Sequence, residues 1–574
     1  MASSVSHRYC YHNFLTHSLL HSSHNFSSSV FTHRNLRNCK VSVRFRTTAK
    51  SYLNKVPGVK PDKSAHDSES RTESSSSSDS GVNNPDPDPP LRPSLWNSAS
   101  PILEGFKVDG LVREILSVAL PAALALASDP IASLIDTAFV GHLGSVELAA
   151  VGVSASVFNL VSKLFNIPLL NVTTSFVAEE QALLKTDGGA GQHGKIILPS
   201  ISTSLALATG LGIAEAIAVS FGSSFLMDTM GITADSPMRT PAEQFLTMRA
   251  FGAPAVVIAL ATQGTFRGFK DTKTPLYAVG TGNLLNAILD PILIFFCGFG
   301  ISGAAIATVI SEYLIASILL FKLNERVSLI VPDIDGGRVV RYLKSGALLT
   351  ARTLAVFATT TLATSLAARE GPVSMAGHQI CFQVWLALSM LTDALALAGQ
   401  AFLASDYSQG NYSRAREVVY KVLQIGMVTG VGLGVSLLLW FGTLSSLFSS
   451  DYDVLQIAKY GTLFVAGSQP VNAIAFVFDG LYYGVSDFEF AAYSTLVIGL
   501  ISSSFLLVAA PFFGLAGVWA GLFLLMALRV VAGCLRLGTR TGPWKLLWPE
   551  FQQDTTNVAD GLSVQKKKQN MNSL

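Results

Sequence analysis

Read along its length, the chain is a succession of long apolar runs broken by short polar or Gly/Pro-rich stretches. Crossing the hydrocarbon takes about 20 apolar residues per helix. On that measure the pattern predicts twelve spans, centred near residues 127, 163, 208, 254, 286, 311, 355, 390, 428, 469, 499 and 526. Prolines 121, 130, 168, 254 and 470 fall inside them, which membrane helices tolerate when neighbours satisfy the freed backbone groups.

Charge placement supports the even count. Loops on the side of the amino terminus carry thirteen Lys or Arg, among them Lys185, Arg267, Lys270, Arg326, Arg341 and Arg414. The opposite loops carry four: Arg239, Arg249, Arg369 and Lys459. The positive-inside bias puts both termini on the stromal or cytosolic side.

The second half echoes the first. Arg113-Glu-Ile-Leu-Ser-Val-Ala-Leu120 is answered by Arg341-Tyr-Leu-Lys-Ser-Gly-Ala-Leu348. Phe266-Arg267-Gly268 lines up with Phe478-Asp479-Gly480, and Gly300-Ile-Ser-Gly-Ala304 with Gly514-Leu-Ala-Gly-Val518. Six spans per half keep the two repeats in one orientation, as in carriers that rock about a site at the repeat interface. The expected fold is an all-α polytopic membrane protein: twelve transmembrane helices as two six-helix parallel-repeat bundles, residues 111–330 and 331–540, followed by a tail over 541–574.

Composition narrows the class further. The chain has 574 residues, 49% of them hydrophobic and 14% charged, against about 25% charged in soluble proteins. Soluble enzymes, nucleic-acid binders and coiled coils are excluded. Residues 1–61 hold no Asp or Glu but nine Lys or Arg, six His and eleven Ser. That composition, opening Met1-Ala2-Ser3-Ser4 without a secretory apolar core, reads as a plastid transit peptide. Residues 62–110, rich in Ser, Asp and Pro, read as a disordered linker.

Against so apolar a background, charges inside spans stand out, since each costs roughly 2.5–3.5 kcal/mol on insertion scales. Asp136 in the first span is the first candidate; a carboxylate in an apolar setting can take up and release a proton. Asn286 and Asp290, spaced i, i+4, share one face of the fifth span and aim at one partner. Asn283, one turn earlier, extends the set. The reading is one coupling network of Asp136, Asn286 and Asp290 for H+ or Na+, with no other cofactor. Arg352 in the seventh span and Lys163 in the second are deep cations suited to an anionic substrate. Asp393 is the alternative partner of Arg352. Gln379, Gln383 and Gln400 are cavity hydrogen-bonders or packing contacts.

Two signals fail on inspection. Gly189-Ala-Gly-Gln-His-Gly194-Lys195 has part of a P-loop, but Ile196 stands where Ser or Thr is required and no strand precedes it. No HExxH or GxSxG sequence occurs, so the chain does not read as an enzyme.

The segment Pro121-Ala-Ala-Leu-Ala-Leu-Ala-Ser-Asp-Pro130 through Asp136-Thr-Ala-Phe-Val-Gly-His-Leu-Gly144, with Val146-Glu-Leu-Ala-Ala150, resembles the multidrug and toxic compound extrusion (MATE) family. So does Arg267-Gly-Phe-Lys-Asp-Thr-Lys-Thr-Pro275. Leu134-Ile-Asp136-Thr-Ala-Phe-Val-Gly141 resembles the DinF-type branch. Thr173-Thr-Ser-Phe-Val-Ala-Glu-Glu180, Ala351-Arg-Thr-Leu-Ala-Val356 and Ala398-Gly-Gln-Ala401 resemble the plant citrate-exporter branch. The resemblance implies a monomeric secondary antiporter in the chloroplast envelope, exporting a small organic solute, best citrate, in exchange for H+ or Na+. It implies coupling at Asp136, Asn286 and Asp290. Another branch places acids where Val356 and Ser468 stand here, which disfavours coupling in the carboxy-terminal half. Export of drugs, phenolics or organic cations is the alternative, as is a lipid flippase of the wider superfamily. The partners expected are solute and membrane lipid, not nucleic acid.

Overall fold

The structure, a computed structural model, describes residues 109–186, 197–230, 232–329, 335–445 and 451–548. The transit-peptide and linker segments, the P-loop-like stretch and the end of the tail lie outside the described residues.

Ten helices are long and apolar enough to cross a membrane by themselves, and twelve spans result when two bent pairs each count as one. The first three spans are Gly110–Gly141, Ser145–Thr186 and Pro199–Thr229. The fourth is broken, Arg239–Ala250 and then Ala253–Gly268, with a 48° bend. The fifth, Lys273–Pro291, runs into a π-helical turn over Ile292–Phe296, and Gly300–Arg326 closes the half. The second half holds Gly336–Arg369, Pro372–Ser408, Tyr412–Ser445, Tyr452–Gly484, Phe488–Phe513 and Leu515–Thr539. Local chemistry sets several ends. Asp335 and Asp451 cap the seventh and tenth spans by accepting from Gly337 and Asp453 backbone N–H groups, and prolines 199, 254 and 372 occupy first turns, where the missing N–H is harmless. Large apolar side chains such as Phe221, Leu439 and Phe512 stay exposed, as a lipid-facing surface requires.

Both halves pack alike. The first span lies on the fifth and the seventh on the eleventh; the second packs on the fourth and the eighth on the tenth. Small residues make these contacts close. A Cβ on Gly212 would stand 2.6 Å from Pro254 Cα, and one on Gly430 2.7 Å from Pro470 Cα. Gly264 abuts the Leu170 carbonyl of the second span, and Gly480 the Ala396 carbonyl of the eighth.

These contacts correct the repeat register. Lys270 and Ser486 are non-glycine residues with positive φ, and their N–H groups bond Arg267 and Tyr483 carbonyls. Gly268 therefore matches Gly484, and Arg267 matches Tyr483. The alignment of Phe266-Arg267-Gly268 with Phe478-Asp479-Gly480 is off by four residues, about one helical turn. Apolar pattern alone repeats nearly as well one turn away; the turn after the helix, with its left-handed residue, does not.

The two halves join at the end that carries the termini. One hydrophobic core there draws on both halves, with Val112, Phe176, Tyr342, Phe402 and Tyr483 among its members. Arg341–Glu179 at 2.9 Å, Arg414–Glu114 at 2.9 Å and Lys421–Asp109 at 2.6 Å clamp its rim. At the opposite end each half keeps a separate core, around Val140 and Ile301 in one and around Val384 and Phe441 in the other.

Candidate functional site

In the amino-terminal half the first and fifth spans pack together and bring Asp136, Asn286 and Asp290 into one cluster. Asn286 Nδ2 donates to Asp136 Oδ1 at 2.6 Å. Asp290 is 0% exposed, and its carboxyl interacts with that of Asp136. Neither oxygen of Asp290, nor the Asn286 amide oxygen, meets a hydrogen-bond donor. Such a pair can hold a proton between its carboxyls or present oxygens to a small cation. Pro291 and the π turn follow immediately, a distortion often found beside functional residues, and Gly303 of the sixth span packs its backbone against Leu293 of that turn.

Asn283 belongs to a neighbouring layer, not to the Asp136 cluster itself. Its Nδ2 donates to Asp129 Oδ1 at 3.2 Å. Sequence reasoning passed over Asp129 and three more intramembrane charges. Glu215 of the third span is 7% exposed and accepts from Asn166 Nδ2 at 3.2 Å. Arg249 pairs with Glu312 of the sixth span at 2.8 Å. Arg249 was expected in a loop; it sits instead in the first segment of the broken fourth span, beneath Phe158, whose ring centre is 4.9 Å from its guanidinium carbon. The rule that singled out Asp136, a charge inside an apolar run, marks Asp129, Glu215 and Glu312 as well; Arg249 escapes it because the segment Arg239–Ala250 is itself polar.

The carboxy-terminal half holds arginines. Arg352 of the seventh span and Arg529 of the twelfth both bind Asp479 Oδ2 in the tenth. The expected Arg352–Asp393 pair is thus replaced: the rotation of the tenth span delivers Asp479, and Asp393 stays a longer-range charge neighbour. Arg352 Nε is buried without a partner. Where the other branch has acids, Ser468 lines a cavity of about 40 Å³ with His378, Phe382, Trp385, Phe464, Asn472 and Trp519. Trp519 Nε1 donates to His378 Nδ1 at 3.2 Å. Gln400 bridges the halves, donating to the Asn171 carbonyl and the Ser175 hydroxyl, both at 2.8 Å. Gln379 is half-buried and Gln383 exposed, neither with a hydrogen bond among the described residues. The Lys163 side chain lies outside those described.

The chain is thus a twelve-span double repeat with a carboxylate pair in one half and an Arg–Asp–Arg triad in the other. The MatE family profile matches residues 121–292 and 350–508. The chain belongs to the MatE family. Protein DETOXIFICATION 44, chloroplastic, of Arabidopsis thaliana is 70% identical over 436 residues, covering 76% of this chain and 84% of the relative. Protein DETOXIFICATION 45, chloroplastic, of the same plant is 50% identical over 443 residues, 75% of this chain and 79% of the relative. A crystal structure of MATE in the bent conformation matches with TM-score 0.69 at 20% identity, over 76% of this chain and 96% of that one; at that identity the match speaks to fold alone. As a MatE protein the chain is a multi-pass membrane transporter of the chloroplast, not an enzyme.

Proposed function

We propose that this transporter is a secondary antiporter of the plastid envelope that exports an organic anion, best citrate, in exchange for a cation. Asp136, Asn286 and Asp290 carry the coupling ion. The observation that supports this most is the carboxyl pair of a half-buried Asp136 and a fully buried Asp290, with Asn286 as the amide donor to Asp136. A proton or a sodium ion is what such a set can bind and release as the halves rock.

The anionic choice rests on the other half, where two guanidinium groups share one carboxylate. Joined halves at the charged rim and separate cores at the far end fit a state open away from the termini, which then face stroma or cytosol. A second reading, export of phenolic compounds, draws on the neutral aromatic cavity around Phe382, Trp385 and Trp519.

Proteoliposomes that contain the full chain, loaded with labelled citrate under separately imposed pH and sodium gradients, test both. Gradient-driven citrate flux that disappears in Asp136→Asn is the expected result. No flux under any gradient would sink the citrate reading. Unchanged gradient dependence in the variant would remove Asp136 from coupling.

A further inference from the structure

Glu215 sits near the middle of the third span, Pro199–Thr229, and is 7% exposed. One carboxyl oxygen, Oε2, accepts from the Asn166 amide of the second span at 3.2 Å, and Asn166 is itself 1% exposed. The other oxygen, Oε1, is buried and meets no donor. Among the described residues Glu215 has no ion pair. Arginines on the spans packed against the third bind other carboxylates: Arg239 holds Asp228 and Glu243, Arg249 holds Glu312, and Arg341 and Arg352 of the seventh span hold Glu179 and Asp479. Arg267 closes the last turn of the fourth span, more than three helical turns beyond Pro254, the residue that Gly212 touches one turn from Glu215.

A bare carboxylate in that setting is expensive, and ionisable side chains held inside a bilayer mark ion and proton pathways. A proton on Oε1 removes the charge and leaves Oε2 to Asn166. One amide donor and one bare oxygen do not make the oxygen cage that a hard metal cation takes, so a proton is the ion that fits.

Asn166 stands where the second span meets the other half. Two residues before it, the Leu164 carbonyl accepts from Thr350 Oγ1 of the seventh span at 2.9 Å. Further along the same helix, the Asn171 carbonyl accepts from Gln400 Nε2 of the eighth at 2.8 Å. A change of charge at Glu215 therefore reaches, through Asn166, the stretch of helix that is bonded to both halves.

We propose that Glu215 is a second proton site, loaded on Oε1 in this state and unloaded as the halves rock, with Asn166 positioning its carboxyl. Loading joins H+ to the carboxylate to give the carboxylic acid; unloading returns H+ to water on the side then open. The inference goes beyond the Asp136 cluster and needs neither coupling at that cluster nor citrate as cargo.

The test is infrared difference spectroscopy of the full chain in nanodiscs, without any solute, as pH is stepped through neutrality. Wild type shows a carboxylic-acid C=O band that fades as pH rises. Glu215→Gln, close in shape to the protonated acid, removes that band, and Asp136→Asn leaves it in place. Glu215→Asp keeps a shifted band, which guards against a folding failure. Asn166→Leu moves the band to higher frequency, because the carbonyl loses its hydrogen bond. Hydrogen exchange over residues 164–171, corrected for its intrinsic pH dependence, differs between loaded and unloaded wild type and not in Glu215→Gln. No band, a band that does not titrate, or hydrogen exchange in Glu215→Gln that still follows pH as in wild type overturns the proposal. A band lost in Asp136→Asn and kept in Glu215→Gln overturns it too and leaves coupling at Asp136 standing.

Discussion

Lys270 and Ser486 hold the same place in the two halves: each turns the chain after the central helix of its half with left-handed backbone, φ 61° and 56°. Each is followed by an aspartate bound to an arginine at the end of that half's last span, Asp271 to Arg326 at 2.7 Å and Asp487 to Arg536 at 2.9 Å. The repeat is thus marked by a strained turn and its ion pair more sharply than by apolar residues.

The strain is removable. A non-glycine residue in this region costs roughly 1–2 kcal/mol. Ser486→Gly should stabilise the protein by about 1 kcal/mol, less the entropy that glycine adds to the unfolded chain. A thermal melt of the solubilised protein measures it; a lower melting temperature than wild type counts against the strain.

Asp271 gives the turn an acid dependence. Burial pushes its carboxyl upward, but the Thr274 backbone N–H, the Thr274 hydroxyl and Arg326 outweigh it and hold it below the ordinary range. A depressed carboxyl stabilises the fold at neutral pH, and that contribution is lost as pH falls below about 4. Asp271→Asn should therefore lower stability at pH 7 and flatten the acid limb of a stability–pH curve. An acid limb as steep as in wild type would count against it.

Close helix contacts should be intolerant. A Cβ on Gly264 would sit 2.6 Å from the Leu170 carbonyl oxygen, whereas one on Gly432 meets nothing within 4 Å. Gly264→Ala is expected to cost about 1–3 kcal/mol through overpacking, and Gly432→Ala next to nothing. Equal yields of monodisperse protein and equal melting temperatures for the two would refute the contact.

The Arg352–Asp479–Arg529 triad should behave as a unit. Removing Asp479 leaves two buried guanidiniums facing each other, so Asp479→Ala should destabilise by about 3–5 kcal/mol. Arg352→Gln and Arg529→Gln should each cost less, and their combination should depart from additivity. Strict additivity in the double variant would mean that the two arginines act apart.

Much of the architecture follows from the sequence alone. Insertion into lipid is decided by summed local hydropathy, so the number, order and repeat of the spans are legible without any contact. The same scarcity of charge made Asp136, Asp290 and Arg352 visible, and the i, i+4 spacing put Asn286 with Asp290 on one face. What needed the tertiary structure was every partner. That Asp136 meets Asn286, that Arg352 meets Asp479 and not Asp393, and that Arg249 lies within a span depend on how far each helix is rotated and slid. One turn of displacement, about 5.4 Å, leaves hydropathy unchanged yet replaces every polar contact. The close approach of glycines to neighbouring backbones sets that displacement, and it exists only once the helices are packed.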